Sequence, residues 1–227
     1  MNALRLGTYN IHKFIGADGR KDAGRVISVI RALGADVLAL QEFTDDAAAG
    51  AQEFAAAMGY RAVEQKMLRG NGRHQSNLLL SRLPLRSPRL IDLKVEGQEP
   101  RGAIVAVVEA GGHRLHVVTT HLGLRPAARK RQLDAILGAF DLDPAQPFAL
   151  LGDLNAILPW EGAERRLGRD FPGQARPPSF PARRPVLALD RIVVRPARML
   201  RSLRVFADAP ARVASDHLPL VADLVLS

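Results

Sequence analysis

The chain of 227 residues contains no cysteine and few aromatic residues. Without cysteine there is no disulfide framework, no thiolate metal site and no thiol catalysis, so any metal or catalytic site has to use oxygen and imidazole groups. Phe, Trp and Tyr together make up 5% of the residues, which leaves little surface for stacking unpaired bases. The composition therefore argues against a protein specialised for single-stranded nucleic acid.

Long apolar runs are also missing. The run from Ala103 to Val108 is among the longest, and it is far shorter than the ~20 residues that a membrane-spanning helix needs. The first residues, MNALRLGTYNIHKF, have one arginine and an interrupted apolar stretch, unlike the basic segment and continuous apolar core of a signal peptide. We therefore expect a cytoplasmic protein with no transmembrane segment.

Positive charge, by contrast, is abundant. Lys and Arg number 32 against 23 Asp and Glu, which gives a formal charge of +9, and 27 of the 32 are arginine. The planar guanidinium group suits phosphate oxygens, although a genome rich in G and C would raise the arginine content without any functional meaning. The charge indicates anionic partners and does not identify one.

Apolar periodicity predicts a mixed α/β fold. Several connections between strands are of hairpin length, which favours mixed sheets covered by helices over a regular βαβ repeat. Strands are predicted at about 4–10, 36–41, 60–66, 77–82, 103–109, 114–120, 147–152, 188–195, 203–207 and 218–226. Helices are predicted at about 21–33, 46–58 and 126–140.

The chain shows neither a repeat nor a flexible linker, so residues 1–227 are predicted to form a single domain. The least regular stretch runs from Leu167 to Pro185 and contains five prolines. Proline cannot donate to a strand ladder, so this stretch is predicted to be an ordered surface loop.

Polar residues stand where predicted strands end. Glu42 ends DVLALQE, and a carboxylate at the edge of a core needs a partner. Asp153 and Asn155 follow FALLGD, where the acid can hold a metal or a water and the amide can donate to an oxyanion. Taken alone, this D-x-N is more typical of an Asx turn that ends a strand. Asn10, after LRLGTYN, is also a common type of strand terminator.

Histidine and aspartate occur in the same setting later in the chain. His121 closes LHVVTTH and Asp190 opens DRIVV. Asp216 and His217 precede the last strand and could combine a metal-binding carboxylate with a titrating imidazole. Taken alone, the pair is better explained as a loop histidine with an accidental neighbour. Surface or packing roles are assigned to the remaining histidines, which are His12, His74, His113 and His116.

Together these residues form the ordered series NIH, QE, THLG, GDLN, LDRI and SDHLP, from Tyr9 to Leu220. The series resembles the endonuclease/exonuclease/phosphatase superfamily, which includes pancreatic-type DNases, abasic-site endonucleases, inositol polyphosphate 5-phosphatases and neutral sphingomyelinases. NIHK, THLGLR and LDRI look especially close to small stand-alone bacterial members. The resemblance implies a four-layered α/β sandwich, in which two mixed β-sheets pack face to face with helices outside and the active site lies at one end.

By the same resemblance, the cofactor is Mg²⁺, with Mn²⁺ as a substitute. Both cations prefer oxygen ligands, and Mg²⁺ often needs only one or two carboxylates. Glu42 matches the principal metal ligand, Asp216 matches a second carboxylate, and Asn10 completes or supports that side.

The resemblance also assigns catalytic groups. Either Asp153 activates the attacking water, or His217 does so while Asp190 fixes its tautomer. Asn155 looks like a donor to phosphoryl oxygens, and His121 like a general acid or a phosphate contact. Gln75 stands where some nucleases of the superfamily place a glutamate to pair with this histidine.

Two further positions match polar residues of the superfamily's substrate cleft. They are Asn77 in SNLLLSR and Arg101 in PRGAIVAVVE. A solvated charge at a sheet edge is an equally good interpretation of Arg101.

The predicted function is metal-dependent phosphodiester hydrolysis by a monomeric nuclease acting on DNA or RNA. The alternative substrates are a phospholipid head group or a small phosphorylated metabolite, and a non-catalytic phosphate-binding protein is the third possibility. Only 67–75 and 167–185 look available as specificity loops. Residues 160–204 contain eleven arginines against four acidic residues, which suggests that this stretch guides a phosphorylated substrate to the metal.

Overall fold

Two β-sheets packed face to face, with helices on their outer faces, form the fold in the computed structural model. The structure describes residues 2–47, 50–68, 70, 72, 74–140 and 146–226. Part of the predicted loop 67–75 and part of the predicted helix 46–58 therefore lie outside the described residues.

The described residues form eleven strands. The strands are β1 Asn2–Asn10, β2 Val37–Phe43, β3 Arg61–Leu68, β4 His74–Ser81, β5 Leu85–Asp92, β6 Gly102–Ala110, β7 His113–His121, β8 Phe148–Asp153, β9 Asp190–Arg195, β10 Leu200–Val205 and β11 Leu220–Leu226. One sheet has the order β10-β11-β1-β2-β4-β3 and the other β5-β6-β7-β8-β9. Both sheets are mixed, because β1 pairs with β2 and β7 with β8 in parallel while their other pairs are antiparallel.

Helices cover the outer face of each sheet. The α-helices are α1 Ala23–Leu33, α2 Ala51–Ala56, α3 Pro126–Gly138, α4 Gly162–Asp170 and α5 Ala211–Ala214. Short 3-10 helices occupy 12–14, 45–47 and 197–199. Of the helices that the structure describes, none combines the length and the apolar character needed to cross a membrane.

Alternation of side chains along the central strands explains the layers. In β2, Val37 and Ala39 pack between the sheets, whereas Leu38 and Leu40 pack against α1 and α2. Successive side chains of a strand point to opposite faces, so a strand buried on both faces reads as a continuous apolar run. β8 behaves in the same way towards α3 and α4. The predicted four-layered sandwich of two mixed sheets is confirmed.

Local sequence sets the ends of α1. Apolar side chains at 26, 29, 30 and 33 have helical spacing and are buried. The Asp22 side chain accepts from the backbone N–H of Arg25 at 3.2 Å, which caps the first turn. Gly34 ends the helix with a left-handed φ of 58°.

All ten predicted strands exist, but the sequence did not reveal β5, α4 or α5. β5 is a largely exposed edge strand that contains Pro88 and an irregular register, so it lacks a buried alternating face. α4 contains Gly162 and Gly168, and five of its nine residues are charged, so its sequence is not typical of a helix with an apolar face. It takes up the first four residues of the stretch predicted as the loop Leu167 to Pro185, and the remainder is irregular as expected.

Strand ends converge at one end of the sandwich. β1 and β2 run in parallel, which brings Asn10 and Glu42 to the same edge of the first sheet. In the second sheet the register pairs His121 with Asp153 and Asp153 with Asp190. The turn before β11 brings His217 to the same end, where its ring meets Asp190.

Candidate active site

A row of three buried side chains lies at the centre of this end. His217 Nδ1 is 2.8 Å from Asp190 Oδ2, and His217 Nε2 is 3.8 Å from Asp153 Oδ2. The carboxylate of Asp190 fixes the ring, so that Nε2 points towards Asp153. The structure thus brings together three residues that the sequence separates by up to 64 positions.

Asn10 and His121 contact the far side of Asp153. The Asn10 amide donates to Asp153 Oδ2 at 3.0 Å, and His121 Nε2 lies 3.5 Å from the same oxygen. Asp153 is therefore in contact with both sheets and with two imidazole rings. Asn10, His121 and His217 thus all approach one oxygen, Asp153 Oδ2.

Asn155 adopts the tight turn that the D-x-N pattern allows. Its backbone N–H donates to Asp153 Oδ1 at 3.0 Å, and its φ is 50°. Its side-chain amide donates to the Leu122 carbonyl at 3.0 Å. The Asx-turn and functional interpretations thus describe the same geometry, because the turn holds the amide beside the strand that ends at His121.

Glu42 is mostly buried and stands beside a cation. Lys13 Nζ is 3.1 Å from Glu42 Oε2, and the backbone of Glu42 has a left-handed φ of 62°. Burial raises the pKa of the Glu42 carboxyl, but the charges of Lys13 and His12, with hydrogen bonds from Lys13 and Asn10, outweigh burial and hold that pKa below its usual value. Glu42 is therefore ionised at neutral pH.

Asp216 lies at the more open side of the site. About a third of its side chain is exposed, and its Oδ1 is 3.5 Å from His12 Nδ1. His12, for which the sequence suggested a surface or packing role, thus lies between Asp216 and the charge of Glu42. The backbone N–H of His12 donates to Asn10 Oδ1 at 3.0 Å, which ties this turn to β1.

Asn77 and Arg101 both lie next to the start of β6. The Asn77 amide donates to the Gly102 carbonyl at 3.1 Å, and Thr120 Oγ1 donates to the same oxygen at 2.9 Å. Arg101 is buried, with Nη2 3.3 Å from Glu99 Oε2, so the interpretation of Arg101 as a solvated edge charge is wrong. These contacts place both residues close to Thr120, the residue before His121.

Sequence reasoning missed residues that hold the central row in place. Ser179 Oγ donates to Asp190 Oδ2 at 2.5 Å, and the Phe180 ring packs on the His217 ring with centroids 4.8 Å apart. Ser215 Oγ donates to the Asn10 carbonyl at 2.8 Å. Ser215 opens the SDHLP motif but was given no role there. No motif marks Ser179 and Phe180, and the signal that could have found them is a Ser-Phe pair inside the irregular proline-rich stretch.

Burial and charge shift the pKa values of the central row. Burial lowers the pKa of His217, but the charge and hydrogen bond of Asp190, together with the charges of Asp153 and Asp216, outweigh burial and raise it to about 10. Burial raises the pKa of Asp153, against the opposing effect of the His217 charge. The site therefore favours a protonated imidazole beside a carboxylate that accepts protons readily.

The donor set fits a hard divalent cation. Asp190 Oδ1 is buried and, among the described residues, receives no hydrogen bond. Glu42 Oε2 is buried beside the Lys13 ammonium. In the same part of the chain, ligand atoms of Asp153, Asp190 and His217 lie within 4.8 Å of one another. Carboxylate oxygens are the ligands that Mg²⁺ and Mn²⁺ prefer, whereas imidazole is a ligand for softer transition metals.

Comparisons with known proteins find relatives of this chain in sequence and in structure. Residues 7–217 match the model of the Endonuclease/Exonuclease/phosphatase family. Over 172 residues the chain is 33% identical to the uncharacterized protein YbhP of Escherichia coli, a match that covers 67% of this chain and 64% of YbhP. The chain thus spans slightly less than two thirds of that relative.

Solved structures agree in fold. The crystal structure of an endonuclease/exonuclease/phosphatase from Beutenbergia cavernae aligns with a TM-score of 0.79 and 26% sequence identity. The alignment covers 100% of this chain and 72% of the Beutenbergia chain. A mannosyl-6-phosphatase from Bacteroides thetaiotaomicron aligns with a TM-score of 0.77 and 15% sequence identity. That alignment covers 98% of this chain and 100% of the Bacteroides chain. The second likeness concerns the fold alone.

Proposed function

The chain belongs to the endonuclease/exonuclease/phosphatase family, whose members hydrolyse phosphoester bonds, and from this premise we propose that it is a divalent-metal-dependent phosphodiesterase. The observation that carries the proposal is the row Asp190, His217 and Asp153, buried where the two sheets meet. A carboxylate that orients an imidazole towards a second carboxylate is an arrangement suited to moving a proton.

We assign the metal to the side of the site formed by Glu42, Asp216 and Asn10. Asp190 and His217 already direct their facing atoms at each other, which supports a proton-handling role for the central row. When bound, Mg²⁺ would polarise the phosphoryl oxygen and offset the charge that develops on it. The buried Glu42 supports this assignment, because its carboxyl is held ionised beside the Lys13 ammonium.

Two assignments for water activation remain, and both use residues of the central row. In the first, Asp153 accepts the proton of the attacking water while the protonated His217 stabilises the phosphoryl charge. In the second, His217 Nε2 accepts that proton and Asp190 stabilises the imidazolium that results. The raised pKa of His217 is more favourable to the first assignment, and the Asp190 hydrogen bond supports both.

Donors for the phosphoryl oxygens come from the second sheet and its loops. Asn155 and His121 are adjacent to Asp153, so they can reach the same phosphoryl group. Arg101 and Asn77 lie one strand further away, beside Thr120, and are assigned to binding the substrate on that side.

For the substrate, nucleic acid is our first candidate, because a charge of +9 favours a polyanion. The second candidate is a phosphorylated lipid or small metabolite, supported by the apolar side chains exposed next to the site. A non-catalytic phosphate-binding role would not need a buried His217 held between two carboxylates.

The proposal is tested by incubating the purified protein with Mg²⁺ or with EDTA. The substrates are plasmid DNA, single-stranded DNA, RNA, phospholipid vesicles and bis-p-nitrophenyl phosphate. We expect Mg²⁺-dependent release of p-nitrophenol and cleavage of one of the natural classes. Absence of metal-dependent turnover on every substrate would contradict the proposal and favour the binding protein.

A further inference from the structure

Large apolar side chains are exposed on two loops next to the site. Leu124 and Trp160 are both 69% exposed, and Ile157 and Leu158 are also exposed. We call these four residues the apolar rim. Single exposed apolar residues are common on protein surfaces, whereas a cluster beside a catalytic site indicates a surface that something covers.

The apolar rim adjoins the catalytic residues along the chain and through hydrogen bonds. Leu124 follows His121 by three positions, and Ile157 follows Asn155 by two. Between them, the backbone N–H of Leu122 donates to the Asp153 carbonyl at 3.0 Å. The Asn155 amide returns to the Leu122 carbonyl at the same distance. Both loops therefore begin directly beside Asp153 and Asn155.

A buried ion pair holds the two loops together. Arg129, on α3, donates from Nε to Glu161 Oε2 at 3.1 Å and makes a second, shorter bond to the same oxygen through Nη2. The Arg129 guanidinium also donates to the Gly123 and Leu124 carbonyls, and the backbone N–H of Leu158 donates to Glu161 Oε1 at 3.3 Å. The rim is thus a built surface in which one arginine fixes both halves.

Exposed charge around the apolar rim is positive. Glu161 and Glu164 are buried, Glu161 against Arg129 and Glu164 against Arg191 and Arg176, so their charges are neutralised internally. Arg125 and Arg165 are exposed, and among the described residues neither faces a carboxylate at ion-pair distance. Arg176 reaches the rim directly, with Nη2 3.4 Å from the Ile157 carbonyl.

We propose that the apolar rim docks on an anionic phospholipid surface and places the site at the level of the head groups. Tryptophan prefers the interface between head groups and acyl chains, aliphatic side chains gain free energy by leaving water, and arginine pairs with lipid phosphate. Three of the four rim residues are aliphatic and offer no face on which a base could stack, so the rim suits lipid better than nucleic acid. The inference rests on the phosphodiesterase activity proposed above, and of its two substrate candidates it favours the second, a phosphorylated lipid, whose ester this surface would present.

Trp160 makes a direct test possible, because it is the one tryptophan in the sequence. Its fluorescence is recorded in EDTA during titration with phosphatidylcholine vesicles, with and without phosphatidylglycerol, and with single-stranded DNA. We expect a blue shift and higher intensity with the anionic vesicles and a much weaker response to neutral vesicles. Binding is measured in parallel by sedimentation of the vesicles.

Variants identify the surface that binds. Leu158→Asp on one loop and Leu124→Asp on the other should each weaken vesicle binding about tenfold. Each variant puts a carboxylate where the parent protein would bury a leucine side chain in the lipid surface. Leu90→Asp is the matched control, because Leu90 is an exposed leucine on the edge strand β5. The control should bind vesicles like the parent protein, and all three variants should hydrolyse bis-p-nitrophenyl phosphate normally.

Three outcomes would overturn the inference. They are an unchanged Trp160 spectrum with anionic vesicles, equal loss of binding in Leu90→Asp, and a response to DNA alone. Failure of the proposed function would be visible separately, as absence of bis-p-nitrophenyl phosphate turnover. The two readouts are independent, because hydrolysis of that small ester needs no docking surface and the vesicle titration needs no hydrolysis.

Discussion

Asp190 is the residue on which the central row depends. Its Oδ2 accepts a hydrogen bond from Ser179 and faces His217 Nδ1, while its Oδ1 is buried and, within the described part of the chain, receives no hydrogen bond. A buried carboxylate is costly unless charges and donors compensate it, so this residue and the imidazole have to be considered as one unit. Removing either partner leaves the other charge uncompensated.

His217→Ala should lower turnover of bis-p-nitrophenyl phosphate by roughly 10²–10⁴-fold, the usual contribution of a positioned acid or base. The protein should still fold, because the ring lies at the end of the sandwich and outside its apolar clusters, but with a lower free energy of unfolding, because the buried Asp190 carboxylate loses its partner. Circular dichroism and steady-state kinetics measure the two effects. His74→Ala, at an exposed histidine, is the control. A fully active His217→Ala protein would remove His217 from the mechanism.

Glu42→Gln should raise the Mg²⁺ concentration needed for half-maximal activity at least about tenfold, because the substitution removes the negative charge assigned to the metal. The measurement is a titration of activity with Mg²⁺. Glu53→Gln, at an exposed glutamate on α2, is the control and should titrate like the parent. Unchanged metal dependence of Glu42→Gln would exclude Glu42 from the ligand set.

At the scale of elements, the contact between β7 and β8 decides where the catalytic groups stand. Gly152 has a φ of 146°, and a Cβ at this position would lie 1.9 Å from the Thr120 carbonyl oxygen. The close approach brings His121 opposite Asp153 in the parallel register. A glycine one residue before Asp153 is thus required by the backbone geometry.

Gly152→Ala should lower the free energy of unfolding by about 3 kcal/mol, because the new methyl group meets backbone that cannot give way. Chemical denaturation measures this change. Gly168→Ala is the matched control, because Gly168 lies in α4 with no atom within 4 Å of a Cβ, and we expect a gain of up to ~1 kcal/mol from helix propensity. Equal stability of the two variants would contradict this account of the β7–β8 contact.

The elements also show what the sequence can and cannot predict. β2 and β8 were predictable because both of their faces are buried, so they read as apolar runs. β5 was not, because an exposed edge strand needs no apolar face. At the site, strand ends and motif order found Asp153, Asp190 and His217, whereas the contact from Ser179 depends on the path of an irregular loop, which no local pattern encodes.

At the scale of the whole molecule, the positive charge is less available than the sequence suggested. Arg191 is buried against Glu164, and Arg166 and Arg169 pair with Asp170. Part of the arginine-rich stretch 160–204 thus stabilises α4 and its neighbours, which leaves fewer of its charges to attract a substrate. The proposed guiding role therefore rests on exposed arginines such as Arg165, since Arg176 is exposed but pairs with Glu164.

The antiparallel pairing of β1 with β11 has a kinetic consequence. The pair joins Asn2 to Leu226 and Thr8 to Leu220, so it closes a loop of more than 200 residues in the middle of the first sheet. Contacts between such distant segments carry a high entropic cost and form late in folding. Asn10 and His217 flank this pairing, so a refolding chain should regain secondary structure before it regains catalytic competence.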